Sequence, residues 1–550
     1  MRATTEIPTT TATSGKAFTA PSSQIWAWGI GALACHLLIQ TYGQASVIFT
    51  VGFGLSPVII SWCMMLPRVV DGILDPIMGH LSDETHTRWG RRKPYLVLGA
   101  ILGALFLMSV WWANPAWSQT AQFAYLLALG TLFYVAYGIY TMAWTAMGYE
   151  LTDDYNERSK VAAIGGLFLA IVTLSVQWMY WLALREGFHA GLGETARALW
   201  GAGLDWAQIS EVFSRAFADA AKESKSEIWG MRWISALSAA IIVISAFVAT
   251  WFCRERFTHV NRTHIPIGPA VKATVKNRPF VILLGFKIAQ ILGDRAALGL
   301  LVYLAIYYIC GGDKGTATKI TGLGATIGTI LGFFVLPVLK PITAAIGKRN
   351  AQIVAAGIAF AMAVALPFIL TPAHPYWLMI PTLVAIPLST LNNALTNSIV
   401  PDICDVDELQ CHQRREGLFT AVMGFIGKME ISLCYLLVGY IVSWAGLDTK
   451  LATQPSDVLH RLYWLCVVQN LVFSLGALVL AILFPVTPET MREVRQKLDA
   501  RRLEEAVAGE PTDEVVEQIV HEHPEIAEAA RHGDSPSQVS KSPPPHRAAQ

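Results

Sequence analysis

The sequence predicts an all-α integral membrane protein of twelve transmembrane helices arranged as two six-helix halves. Three observations carry that prediction. The 550 residues are 53% hydrophobic and 15% charged, with mean hydropathy +0.44, too apolar and too charge-poor for an ordinary soluble chain. Apolar runs long enough to cross the hydrocarbon core recur along the chain. Lys and Arg gather in alternate connecting loops, as the positive-inside rule requires of a multi-span protein. The net charge of +1, with no sustained basic run, argues against nucleic acid or another polyanion as partner.

Residues 1–23, rich in Thr, Ser and Ala, lack the charged-then-apolar order of a cleavable signal and read as a disordered cytoplasmic tail. The expected spans are 24–47, 55–80, 94–113, 121–149, 160–184 and 229–252 in a first half, 24–252. A second half, 279–486, holds 279–310, 317–340, 350–371, 375–400, 417–446 and 460–486. The loops after the even-numbered spans carry Arg91 and Arg92, Arg158, Lys348 and Arg349, and Arg415, and residues 253–278 form the longest of them. Those loops are therefore expected on the cytoplasmic side, with both termini there and the chain in the inner or plasma membrane. Segment 185–228 mixes charge with helix-forming residues and reads as an extracytoplasmic helical insertion. The tail 487–550 reads as a solvated appendage with an amphipathic helix near 491–506 and a Ser/Pro/His-rich end.

Charges inside the apolar runs point to function, because ionisable side chains in a membrane by default mark an ion or substrate path. Asp71 and Asp75 lie four residues apart in the second span, on one helix face and about 6 Å apart along the axis. Their mutual repulsion calls for a positive visitor: a proton, Na⁺, or Arg68 three residues earlier on the same face. A static Arg68–Asp71 pair that merely holds helices together is the plainer reading. Lys428 lies too deep in the eleventh span to reach water easily, and Glu430, two residues on, faces elsewhere as a second proton group or a neighbour's partner. Asp294 and Arg295, with Lys287 earlier in the seventh span, read as a further charge cluster. Asn392, Asn393 and Asn397 give the tenth span a polar stripe suited to hydroxyl groups. The eight cysteines are scattered singly, and Cys404, Cys411 and His412 lack the second ligand pair of a zinc site.

The stretch after the second span, Gly79-His80-Leu81-Ser82-Asp83 and then Gly90-Arg91-Arg92-Lys93, resembles the major facilitator signature. Residues 340–349 look like a degraded second copy, which fits two halves related by a parallel repeat with the substrate site at mid-membrane. Three stretches narrow the likeness to the glycoside-pentoside-hexuronide:cation symporter family. They are Arg68-Val69-Val70-Asp71-Gly72-Ile73-Leu74-Asp75-Pro76, then Tyr149-Glu150-Leu151-Thr152-Asp153 through Glu157-Arg158, and Asp402 through Glu408 followed by Arg415, Glu416 and Lys428. The resemblance implies Asp71 and Asp75 as cation ligands, Trp144 as a sugar-stacking aromatic, and Lys428 as a charged partner on the eleventh helix. Arg68, His36 and Tyr140 join the implied substrate set. His36 and Tyr140 stand where the family pattern has aspartates. Asp83, Arg91, Arg92, Arg158 and Arg415 are expected to work the cytoplasmic gate, the arginines reaching C-terminal carbonyls of a neighbouring helix.

The expected activity is cation-coupled symport of a sugar or glycoside by alternating access, by a monomer in the lipid bilayer, with no enzymatic reaction and no bound cofactor. Two carboxylates offer few hard oxygens for Na⁺, so a proton is the expected coupling ion, and His36 is poised to titrate. Replacing Asp71 or Asp75 by Asn is expected to abolish accumulation and spare the fold. An amphiphile such as a lysolipid as cargo, or a non-transporting sensor or scaffold, are the alternatives.

Overall fold

A computed structural model describes residues 20–508, except 86, 153–154, 186–226, 256–273, 275, 413–414, 449–450 and 452. The N-terminal tail before residue 20, nearly all of the 185–228 insertion, much of the central loop and the end of the chain from 509 lie outside the described residues.

Among the described residues, 12 helical spans are long and apolar enough to cross a membrane. In chain order they are α1 (Ser22–Val51), α2 (Pro57–Glu84), α3 (Lys93–Val110), α4 (Gln119–Glu150), α5 (Tyr155–Ala183), α6 (Glu227–Phe252), α7 (Arg278–Ile309), α8 (Lys314–Ile346), α9 (Lys348–Ile369), α10 (Pro375–Cys411), α11 (Glu416–Ala445) and α12 (Ser456–Leu483). A thirteenth helix, α13, covers Pro488–Ala508. Local chemistry sets several ends. Pro57 and Pro94 sit in the first turns of α2 and α3, where a missing N–H costs nothing. The Ser118 hydroxyl caps α4 by accepting from the Ala121 N–H at 3.2 Å. The last turn of α7, Leu304–Ile309, widens into a π-helix.

Among the helices that outrun the apolar runs predicting them, α2 and α10 end in charged turns. α2 continues to Glu84, so the start of the facilitator signature is helical and not loop; the Leu81 carbonyl near its end accepts from the Thr85 hydroxyl at 2.8 Å. α10 continues to Cys411 because its acidic last turns are paired: Asp402 with Lys348 at 2.6 Å and Asp407 with Arg415 at 2.8 Å. Hydropathy cannot see the end of α10, since charge compensation there replaces apolarity.

The chain forms two compact units: residues 1–261 with 302–329 and 435–462, and residues 262–301 with 330–434 and 463–550. In the first, α1 packs on α5 and α6, and α4 packs on α2 and α3. Close approach rests on small residues: a Cβ on Gly99 of α3 would meet the Tyr140 backbone at 2.6 Å. In the second, Phe280, Leu283, Ile403 and Phe419 form a core that also takes in Met491, Val494 and Leu498 of α13. These three recur at helical spacing, so α13 docks by an apolar face and is part of the packed unit, in contrast to the solvated appendage expected from its charge.

Candidate functional site

α2 carries the acidic pair, and the two carboxylates meet different surroundings. Asp71 is 1% exposed and pairs with Arg68 at 3.3 Å, itself only 8% exposed. The Arg68 guanidinium lies 5.3 Å from the ring centre of Tyr134 and 5.7 Å from that of Tyr137, both on α4. Each contact is a cation–π attraction strengthened by burial. Gly138 lets α4 close on the pair, for a Cβ there would stand 3.1 Å from Asp71 Oδ1. Asp75, one turn further along, is half-buried. The Arg68–Asp71 pair, offered by the sequence as the plainer reading, is formed, and Asp75 sits outside it.

Between α1 and α4 lies an aromatic joint. Trp28 and Trp144 stack 4.6 Å apart at an interplanar angle of 6°, and each indole N–H donates at 3.0 Å to the other residue's carbonyl. One face of Trp144 is therefore covered by Trp28. His36 stands edge-on to Trp144 with ring centres 6.1 Å apart. The Tyr140 hydroxyl donates to the Gly31 carbonyl at 2.8 Å, and its side chain is fully buried. Four of the implied substrate residues thus lie on α1, α2 and α4 of one unit; Lys428, half-buried on α11, belongs to the other.

In that second unit the Glu430 carboxylate lies 3.4 Å from Lys287 of α7, which makes Glu430 the partner of a neighbouring helix. Asp294 faces α10, accepting from Ser389 at 3.1 Å and from Gln290 at 3.0 Å, while Arg295 beside it is exposed. Lys287, Asp294 and Arg295 differ in exposure yet share one electrostatic neighbourhood, for the Glu430 carboxylate feels both Lys287 and Arg295, and the Asp294 carboxylate feels Arg295. The asparagine stripe divides: Asn392 is fully buried, Asn393 and Asn397 exposed.

The profile of the MFS/sugar transport protein family matches residues 27–488. The chain belongs to that family. An uncharacterized symporter of Synechocystis is 25% identical over 80% of this chain and 89% of its own length. The isoprimeverose transporter of Lactiplantibacillus pentosus is 25% identical over 87% of this chain and 92% of its own. The fold is shared with a bacterial homolog of the human lysosomal transporter Spinster, solved inward-facing and unoccupied, at TM-score 0.57 and 12% identity over 85% of this chain and 98% of that one. The chain is an integral membrane transporter of the major facilitator fold.

At one end of this MFS-family transporter's first unit, the signature arginines clamp a carboxylate. Arg91 and Arg92 bind Glu150, the last residue of α4, at 2.6 and 2.8 Å. A second carboxylate, Glu255 beyond α6, caps α3 by accepting from the backbone N–H groups of Arg92 at 2.9 Å and Lys93 at 2.7 Å, and also from that of Arg91. Arg158 donates to the Thr152 carbonyl at 3.4 Å. The side chain of Asp83 lies outside the described residues. In the second unit Arg415 grips Asp407 with two nitrogens, Nε at 3.0 Å and Nη2 at 2.8 Å, and Asn277 donates to the same carboxylate at 3.2 Å. Sequence reading found these arginines through their motif. It missed Trp28, Glu255 and the capping role of α3's amides, since each partner is more than a hundred residues away and no local pattern marks it.

Proposed function

We propose that this transporter carries a sugar or glycoside with a proton, and that the proton site is Asp75 beside the Arg68–Asp71 pair. The observation that carries the reading is the division of labour on α2. Asp71 is 1% exposed and held by Arg68 at 3.3 Å, while Asp75, one turn on, is half-buried and so within reach of an arriving ion. A proton needs one carboxylate; Na⁺ would need a shell of several hard oxygens. Sugar transport is in the family's description, and one relative is named for isoprimeverose. A glycoside would use Trp144, the His36 ring and the Arg68 guanidinium from α1, α2 and α4 of the first unit. Substrate and proton then raise each other's affinity, as linkage requires.

Both termini lie on the cytoplasmic side in this reading, where Arg91, Arg92, Lys348 and Arg349 gather, and the working form is a monomer. No cofactor beyond the coupling ion is involved. The test is counterflow in proteoliposomes across a panel of glycosides, repeated at two pH values with and without Na⁺ at fixed ionic strength. Uptake is expected to fall as external pH rises, because the co-substrate becomes scarcer, and to ignore Na⁺. Na⁺-stimulated uptake that persists across pH would sink proton coupling, and counterflow with no glycoside would sink the cargo.

A further inference from the structure

The two units carry the same device at one end, and in the second one its acidic member is missing. In the first unit, Gly90 at φ 118° opens the turn before α3, and a Cβ there would stand 2.7 Å from the Glu255 carboxyl. That carboxyl then caps the first amides of α3. In the second unit, Gly347 at φ 80° opens the turn before α9, and a Cβ there would meet the ring of Pro488 at 2.7 Å. The segment beyond the twelfth span makes the same approach, but it brings Pro488 and Thr487 where the first unit has Glu255. The N-cap residue of α9 is Gly347, which has no side chain with which to cap the first turn.

Beside that turn lies a cavity of about 250 Å³. Lys348, Arg349, Arg492 and Arg495 line it, against a single lining carboxylate, Asp402. Asp402 is already held by Lys348 at 2.6 Å and by Arg495 at 3.4 Å. Arg349 is anchored at the rim by the Phe484 and Ile482 carbonyls, both at 2.7 Å. The N-terminus of α9 opens here and adds partial positive charge, while that of α13 is capped by the Thr487 hydroxyl, which accepts from the Thr490 N–H at 3.2 Å, and carries Glu489 in its first turn. Positive residues at the start of a helix are unfavourable unless an anion joins them. Ile399, Phe484 and Met491 give the cavity an apolar floor.

We propose that this cavity binds a phosphate group, which fills for α9 the place that the Glu255 carboxylate fills for α3. Several N–H and guanidinium donors around a concave, partly apolar site suit a phosphate monoester or diester better than a small halide. Two sources supply that chemistry: the head group of an anionic phospholipid, which basic pockets at the cytoplasmic end of spans attract, or a soluble phosphate.

The experiment measures thermal unfolding of the full-length protein in detergent as inorganic phosphate replaces chloride at constant ionic strength. A second arm compares nanodiscs of phosphatidylglycerol with nanodiscs of phosphatidylcholine. Saturable stabilisation is expected in at least one arm. A response to phosphatidylglycerol alone assigns the site to lipid, and a response to inorganic phosphate assigns it to soluble phosphates. Arg492→Gln removes an exposed cation outside the packed core and should weaken the effect about tenfold, the worth of one charge-assisted bond. Thr343→Glu places a carboxylate in the cavity and should abolish it. Flat responses in both arms, or responses that both variants retain at wild-type strength, would overturn the proposal. Neither readout depends on transport, so the assignment stands or falls apart from the cargo and coupling ion.

Discussion

Asp71 and Asp75 differ by one helical turn and by their dependence on Arg68. Because Asp71 is 1% exposed and holds Arg68 at 3.3 Å, Asp71→Asn leaves a buried guanidinium uncompensated. Breaking such a pair costs about 3–5 kcal/mol, so this variant should lose thermal stability and surface expression as well as accumulation. For Asp75→Asn, at a half-buried position one turn on, the fold is expected to survive. That variant should keep its unfolding midpoint and lose proton-driven accumulation while retaining counterflow. Removing both partners, as in Arg68→Gln with Asp71→Asn, should recover most of the stability lost by the single change. Equal unfolding midpoints for Asp71→Asn and the wild type would show that the pair contributes nothing. The acidic pair was legible in the sequence because a carboxylate in an apolar run is rare. Its inequality was not, since the two tyrosines that settle Arg68 come from α4, more than sixty positions away.

Helix ends carry the next set of consequences. Glu255 accepts from three consecutive amides at the start of α3, and Glu150 holds both signature arginines. Glu255→Gln keeps the shape and removes the charge, so the cap should weaken by about 1 kcal/mol, the typical worth of an N-cap. Reversing Arg92 to Glu should do more, setting two carboxylates against each other at a residue that is 3% exposed. Labelling of a reporter cysteine near the α2–α3 turn should rise in both variants, with the larger rise in Arg92→Glu. Unchanged labelling would reduce the motif to a topology signal. Twelve apolar helices were readable because a bilayer demands long hydrophobic runs and little else of them. The end of α10 was not, for there the helix continues through charged residues whose partners, Lys348 and Arg415, lie on other elements.

Across the whole molecule, alternating access requires contacts between early and late spans to form and break. In the first unit such contacts are explicit. Lys314 at the start of α8 pairs with Glu227 at the start of α6, and the Tyr180 hydroxyl donates to the same carboxylate at 2.7 Å. Trp178 of α5 donates to Thr326 of α8 at 3.0 Å, and Trp62 of α2 to the Tyr440 hydroxyl of α11 at 3.3 Å. Lys314→Gln strips Glu227, 8% exposed, of its cation and should favour the state in which these ends separate. Distances between spin labels at the starts of α6 and α8 would report it, and an unchanged distribution would remove the pair from the gate. The Trp28–Trp144 joint bears on the same cycle from another direction. Two indoles lying flat on each other at 4.6 Å couple their electronic transitions, so α1 and α4 carry a built-in chromophore pair whose near-ultraviolet circular dichroism depends on their separation and twist. If the first helices turn as one body, that couplet stays constant while the transporter cycles; any drift of its sign or amplitude on adding cargo would expose internal shear within the bundle, read without a label.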